Sequence, residues 1–505
     1  MNYLSKFFFL AVAVSALLIT GCTDDSDDDK GNITVSGVVV DTDCQTPIEG
    51  ATITASGATT TSDSNGQFTL EDVAADGVVT ISADSYNSSD FDAATSLNAS
   101  LDFIYSFETY FTDSKNSVED PNTADLSIDV EVPTDNFFDV VNYKGAGQGW
   151  WAGWSFYEDV LVGNNSDPIT TGNIVDIVSD PSGTGTTTWT KDNTYVLDGF
   201  VFVNAGQTLT IEAGTVIQGK SGEDVDASAL IVAKGGKIIA EGTADDPIIF
   251  TYEGDTGNTP ASESGLWGGL IILGNSTLNT IPAEQRIEGI PENEDRGLFG
   301  GSDEADNSGI LRYVSIRHGG TNIGADNEIN GLTLGGVGSG TTIEYVEVVG
   351  NKDDGIEWFG GTVNGKYLLS IFCKDDGLDY DMGYRGKNQF VVVHQDPAEA
   401  GSGGEHDGGT SPEDGTPYAI PHFYNVTSIG NADEKAIVLR DNAGGFYVNS
   451  TFEGYFSGIQ IEDLCDTDQD SRAQFEAGNI GFRSCVFWIN EGSIQAADVM
   501  KLDRS

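Results

Sequence analysis

The sequence predicts an all-β chain: a right-handed parallel β-helix, a solenoid of short stacked strands, preceded by a small antiparallel β-sandwich. Three observations carry this. From Tyr195 onward the chain is a series of Val/Ile/Leu runs split by Gly-containing turns, as in "YVLDGFVFVNAGQTLTIEAGTVIQGK" and "SALIVAKGGKIIAEGTADDPIIFT". The runs are too short and too β-branched for helices, and with no helical segments between them a βαβ sheet is excluded. Strand starts then recur at Tyr313, Tyr345, Leu368, Phe390, Phe423 and Phe446, in steps of 32, 23, 22, 33 and 23 residues. Three steps match one solenoid rung; the other two are a rung plus a loop of about ten residues. Before the repeats, residues 32–95 alternate apolar and polar positions between turn signals, the pattern of a small sandwich.

The N-terminus reads as a targeting segment. "MNYLSK" precedes the apolar run "FFFLAVAVSALLI", which is too short for a comfortable membrane span and suits a signal peptide over residues 1–21. The end of this run, "ITGC", resembles the lipobox of bacterial lipoproteins. That resemblance implies cleavage before Cys22, lipidation of Cys22 and attachment to the membrane through acyl chains. The alternative is a plain secretory signal with a chance Cys. Thr23 follows the Cys, which the resemblance associates with the outer membrane. Residues 22–31 form an acidic tether that resembles the export signal of some surface-displayed lipoproteins; a solvated spacer would look the same. The expected location is the outer membrane, at the cell surface. The expected partners are the membrane and a glycan ligand or an outer-membrane receptor.

Composition narrows the function. The 505 residues include 80 acidic and 23 basic side chains, a net charge of -57. Such a surface repels nucleic acid, and polyanionic glycans too unless cations bridge them. Beyond Cys22 there are Cys44, Cys373, Cys465 and Cys485, with no CxxC, and four His. That disfavours structural zinc. Cys465 and Cys485 are candidates for a disulfide in an oxidising compartment, or for free buried thiols.

Within residues 32–95, "GVVVD", "PIEGATI" and "TSDSNGQFTL" resemble the carboxypeptidase regulatory-like module. The resemblance implies a spacer or docking piece without catalytic residues. Residues 96–184 are a connecting or capping segment. It clusters Trp150, Trp151 and Trp154 beside Phe156 and Tyr157. These aromatics either stack on sugar rings or plug an open end of the solenoid. Residues 185–490 resemble pectin-lyase-like β-helix proteins over some 300 residues. Rungs would stack about 4.8 Å apart, and both open ends need covers. The 96–184 segment is expected at one end, and the C-terminal cap, residues 491–505 with the strand run before it, at the other.

The acidic side chains suggest the chemistry. "KDDGIEWFGG" and "KDDGLDYDMG" begin 22 residues apart, at Lys352 and Lys374. Asp353, Asp354, Asp375 and Asp376 are therefore expected at one corner of the coil, with Asp396, Asp433, Glu434 and Glu453 continuing the ladder. Two readings stand. Asp-Asp-Gly is good turn chemistry, with Gly supplying positive φ. Converging carboxylates would also hold a cation or shift their pKa values. Two long loops leave near this corner, and the second carries Glu405, His406 and Asp407 as candidate binding residues. Candidate catalytic residues are the four Asp and His406. "KDDGIEW" locally resembles the Asp-Asp segment of polygalacturonase-type hydrolases, but the Gly-His-Gly and Arg-x-Lys segments of that family are missing. A lyase would need calcium on the four Asp and Arg385 or Arg440 as base. "DTDQDSRAQFE" offers Asp466, Asp468 and Asp470 as a second calcium loop, with Ser471 where Gly is usual and Glu476 one position early; the favoured alternative is an acidic surface loop. An oxygen-only ligand set favours Ca²⁺ as the cofactor. The expected function is a binding or accessory protein for extracellular glycans or another ligand; the alternatives are a calcium-assisted polysaccharide lyase or glycoside hydrolase and a purely structural or adhesive surface protein.

Overall fold

The computed structural model describes residues 31–504 except 165, 292, 325–326, 410, 466, 468 and 490–494. The signal segment, Cys22 and all but the last residue of the acidic tether lie outside the described residues. So do Asp466 and Asp468. Among the described residues no helix is long and apolar enough to cross a membrane. The chain divides after Phe103 into two units.

In the first unit, alternation drives two sheets together. Val35, Val39, Ile53, Val79, Ile81 and Leu101 point inward and are fully buried, while their neighbours face solvent. One sheet has four antiparallel strands, ordered Ala58–Thr61, Thr52–Ala55, Val78–Ser82, Ser89–Asp92. The other has three, with Asn32–Asp41 between Gln67–Ala74 and Ser96–Leu101. The last pairing is parallel, so the sandwich is not purely antiparallel and takes in residues beyond 95.

The second unit is the coil. A typical rung is one long strand, Thr342–Val349, that bends at Tyr345, followed by a turn and the short strand Ile356–Phe359. The bend divides the long strand between two faces, and the short strand forms the third. All pairings between successive rungs are parallel, with Val346, Leu368, Val391 and Val426 in register. The bend residue is left-handed: Tyr313, Tyr345, Tyr367 and Phe390 have φ between 49° and 60°. That backbone costs roughly 1–2 kcal/mol per L-residue. Stacking offsets it, because ring centroids of successive aromatics are 4.4, 4.3 and 5.0 Å apart and each such pair contributes about 0.5–1.5 kcal/mol. The register also corrects the sequence alignment: Tyr367, not Leu368, is the equivalent of Tyr345, and Asn425 and Asn449, not Phe423 and Phe446, continue the left-handed bend. Among the described residues two short α-helices, Ser471–Glu476 and Ala496–Val499, interrupt the repeat.

Residues 104–172 form a strap. The helix Glu108–Asp113 sets Phe107 against Phe475 and Phe111 against Phe487 at the C-terminal end of the coil. Ser117–Val118 then pairs with Val486–Trp488. From there the strap runs back along the flank. Asn449 and Gln389 each exchange two hydrogen bonds with its backbone, at Glu131 and Asp139. Farther on, Glu347 accepts from Phe156 N at 2.8 Å. Asn173–Val178 finally pairs with Asn193–Asp198 at the other end. The segment therefore covers the C-terminal end and reaches the N-terminal one. The last residues, Met500–Arg504, add a strand to the third face. Cys485 is a fully buried free thiol whose pKa burial pushes up to about 12, so it does not pair with Cys465.

A buried ion cluster joins strap and coil. Arg317 has no exposed side-chain surface; its Nη2 lies 2.6 Å from Asp167 and 3.7 Å from Glu347, which is equally buried. Arg317→Ala would leave Glu347 buried without a cation. It should lower stability by about 3–5 kcal/mol in urea unfolding, whereas the apolar pair Arg317→Met with Glu347→Leu should cost far less.

An acidic cleft on the third face

The third face carries the site because its short strands alternate. In Ile356–Phe359, Leu378–Asp381 and Gly404–Asp407 the first and third residues point into the coil and the second and fourth point out. Register aligns the outward Glu357, Asp379 and Glu405, one above another at a spacing of about 4.8 Å. The turns entering the first two strands add Asp353, Asp354, Asp375 and Asp376. Two insertions supply the walls: Glu288 from the 274–308 loop, and Glu328 and Asn330 from the 319–331 loop. Together these residues and Arg440 line a cleft of about 510 Å³.

Within each Asp-Asp-Gly turn the three residues have separate roles. The second Asp clamps the next rung: Asp354 Oδ1 accepts from Asp376 N at 2.9 Å, and Asp376 accepts from Ser402 N. The first Asp, Asp353 or Asp375, is free to face the cleft. The glycines do not supply positive φ. Gly355 and Gly377 are there for close packing, since a Cβ would stand 2.0 Å from Ser370 Oγ in one case and 2.4 Å from Val393 in the other.

Crowding raises the carboxyl pKa values. Burial, then Glu288 and Asp375, pushes Asp353 up to about 7. Burial, then Asp379, raises Asp354 and Glu357 well above the ordinary carboxylate range. Asp379 is raised in the same way by burial and then Asp407, and Asp376 by burial and then Glu405. Glu405 is pushed up to about 6 by burial, partly opposed by Arg440. Two trios converge, Asp353 with Asp354 and Asp375, and Asp354 with Glu357 and Asp379. In each, one oxygen per residue lies within 4.8 Å of the others.

Among the described residues Arg440 is the one basic side chain lining the cleft. It is held by Glu405 at 2.6 Å and Asp407 at 2.7 Å; burial pulls its pKa down, but the hydrogen bond to Asp407 and the charges of Asp407 and Glu405 together outweigh this and raise it. That makes it a poor base. Arg385 is bound to Glu304 and lines no part of the cleft.

Other candidate residues are elsewhere. His406 is the inward residue of its strand, fully buried and stacked on Tyr380 with ring centroids 4.2 Å apart. Burial pushes its pKa down to about 3, so the ring is neutral. Its Nδ1–H donates to the Glu405 carbonyl, and Nε2 accepts from the Tyr447 hydroxyl at 2.7 Å. It is a core residue, neither catalytic nor ligand-binding, because strand alternation turns it away from Glu405. Trp150, Trp151 and Trp154 neither plug an end nor border the cleft. They pack on the flank of the coil, Trp154 edge-on to Tyr313 and Trp150 edge-on to Tyr367. The acidic ladder does not continue through Asp396, Asp433, Glu434 and Glu453. Asp396 is paired with Lys374 at 2.7 Å, and Glu453 aligns with Ile429 at a strand end. Asp470 caps the helix Ser471–Glu476, accepting from Ala473 N at 2.8 Å, and Glu476 pairs with Arg472. Sequence reasoning missed Glu357 and Asp379. The repeated phrase "GIEW", "GLDY", "GGEH" carried that signal, an acid two residues after the first Gly of each. Glu288, Glu328 and Asn330 had none.

Residues 182–501 match the family of pectate-lyase-like β-helix domains, and the chain belongs to that family. Residues 34–103 match the carboxypeptidase regulatory-like domain. No curated protein and no solved structure matches the chain significantly.

The raised carboxyl groups set a pH dependence. The folded protein holds a proton on Asp353 up to about 7, whereas the unfolded chain releases it near the ordinary carboxylate value of 3.8. Acidification through that window therefore favours the folded state, and this stability is lost as pH rises through about 7. Asp381 and Glu462 act in the same sense, also with pKa values of about 7. The buried His residues oppose the trend only below the imidazole value of 6.5. In chelator, the thermal unfolding midpoint should rise as pH is lowered from about 8 to about 6.5, read by scanning calorimetry.

Proposed function

We propose that this member of the pectate-lyase-like β-helix family is a lipid-anchored cell-surface protein. Its acidic cleft binds an extracellular glycan through divalent cations. One observation carries the reading: nine carboxylates and a single guanidinium line the cleft. Such a density of partly buried like charge stays ionised only when cations compensate it. Carboxylate and amide oxygens are hard ligands, which favours calcium. A bound cation also removes the repulsion that a net charge of -57 imposes on an acidic sugar. The regulatory-like module then acts as a spacer, and an outer-membrane receptor is a further candidate partner.

A calcium-assisted lyase or hydrolase is the second reading, favoured by the presence of Arg440 in the cleft. Against it, both carboxylates beside Arg440 keep the guanidinium charged, and His406 is out of reach. A glycan array probed with the purified protein in calcium should give binding that chelator abolishes. Asp353→Asn with Asp379→Asn should weaken it at least about tenfold, a loss of about 1.4 kcal/mol. Binding that ignores chelator would refute the cation bridge. Accumulation of reducing ends or of unsaturated product would replace the binding reading with the enzymatic one.

A further inference from the structure

The cleft holds two carboxylate trios that differ in all members but one. They share Asp354, but their other members come from different elements: Asp353 and Asp375 from the turns, Glu357 and Asp379 from the strands of the third face. The shared side chain is already oriented, because Asp354 Oδ1 accepts the Asp376 N–H at 2.9 Å. A second observation, independent of the acids, points to a ligand. Asn330 is 1 % exposed and lines the cleft, and its Oδ1 has no hydrogen-bond partner. Its Nδ2 donates to Glu357 and, at 3.3 Å, to Glu288, so the amide is held by the cleft while its oxygen is left unpaired. Asp379 Oδ1 is also buried without a partner. An unpaired buried oxygen costs about 1–3 kcal/mol, and a cation coordinated there removes that cost.

We infer that the cleft takes two divalent cations side by side, with Asp354 as the carboxylate common to both. Asp353 and Asp375 complete the outer position. Glu357 and Asp379 complete the inner one, beside the Asn330 amide. Coordination chemistry selects the ion. Calcium takes six to eight oxygen ligands in flexible geometry, whereas magnesium demands a near-ideal octahedron and gives up its waters reluctantly. Irregular trios of carboxylates beside an amide oxygen suit calcium.

This inference rests on the cation-dependent reading of the cleft, and its test separates the two. Calcium alone is titrated into the chelator-stripped intact protein by calorimetry, with equilibrium dialysis as a second count. Two calcium ions per chain are expected, with magnesium at least tenfold weaker. Asp375→Asn and Asp379→Asn should each leave one ion, and Asp354→Asn should weaken both at least tenfold. Asn keeps the side-chain volume and an acceptor oxygen, so thermal midpoints in chelator should equal or exceed the parent's, which excludes misfolding as the cause. A count of one in the parent, with chelator-sensitive glycan binding intact, overturns the paired site alone. Equal loss of all calcium in every single variant does the same. A count of zero overturns the paired site and the cation bridge together.

Discussion

Each residue of the coil sits on its equivalent in the rung below, about 4.8 Å away, because the strands pair in parallel and in register. Like therefore stacks on like. Inside, Val346 lies on Leu368 and Val391, and the core is continuous from rung to rung. At the bend, aromatic rings stack and sustain a left-handed backbone that an isolated Tyr would avoid. On the third face the same rule stacks Glu357, Asp379 and Glu405. The geometry that stabilises an apolar column concentrates charge in a carboxylate column.

The strap follows from the other property of a stack, its open ends and uncovered flank. Phe107 and Phe111 cover the C-terminal aromatic column. The aromatic cluster around Trp154 covers outward apolar residues such as Leu369, Ile371 and Val392, and Arg317 anchors the return to the first strand. With that flank occupied, the third face is where the cleft opens. Its insertions wall the acidic columns, and the partial burial they cause raises the carboxyl pKa values.

The period of the repeat was legible because it depends on apolar residues spaced along one strand. The acidic corner was legible in part. Asp353 and Asp375 recur with their turn, and the cleft includes them. His406 was misread because one residue of strand register separates solvent from core. Its neighbour Glu405 faces the cleft, and nothing in "GEHDG" by itself says which of the two does. Asp470 was misread because an Asp before a short helix and an Asp in a calcium loop have the same local sequence.

The sequence alone determined the solenoid, the sandwich module and the repeated Asp-Asp-Gly turn, since each rests on local pattern and fixed spacing. Only the tertiary structure decided which acids converge. Glu288, Glu328 and Asn330 come from insertions that obey no repeat, and they meet Asp353, Glu357 and Asp379 because the loops fold over the third face. Convergence of charge is a through-space property. Residues 22 positions apart become neighbours at one rung's spacing, and the energy of their repulsion depends on burial that chain separation does not encode.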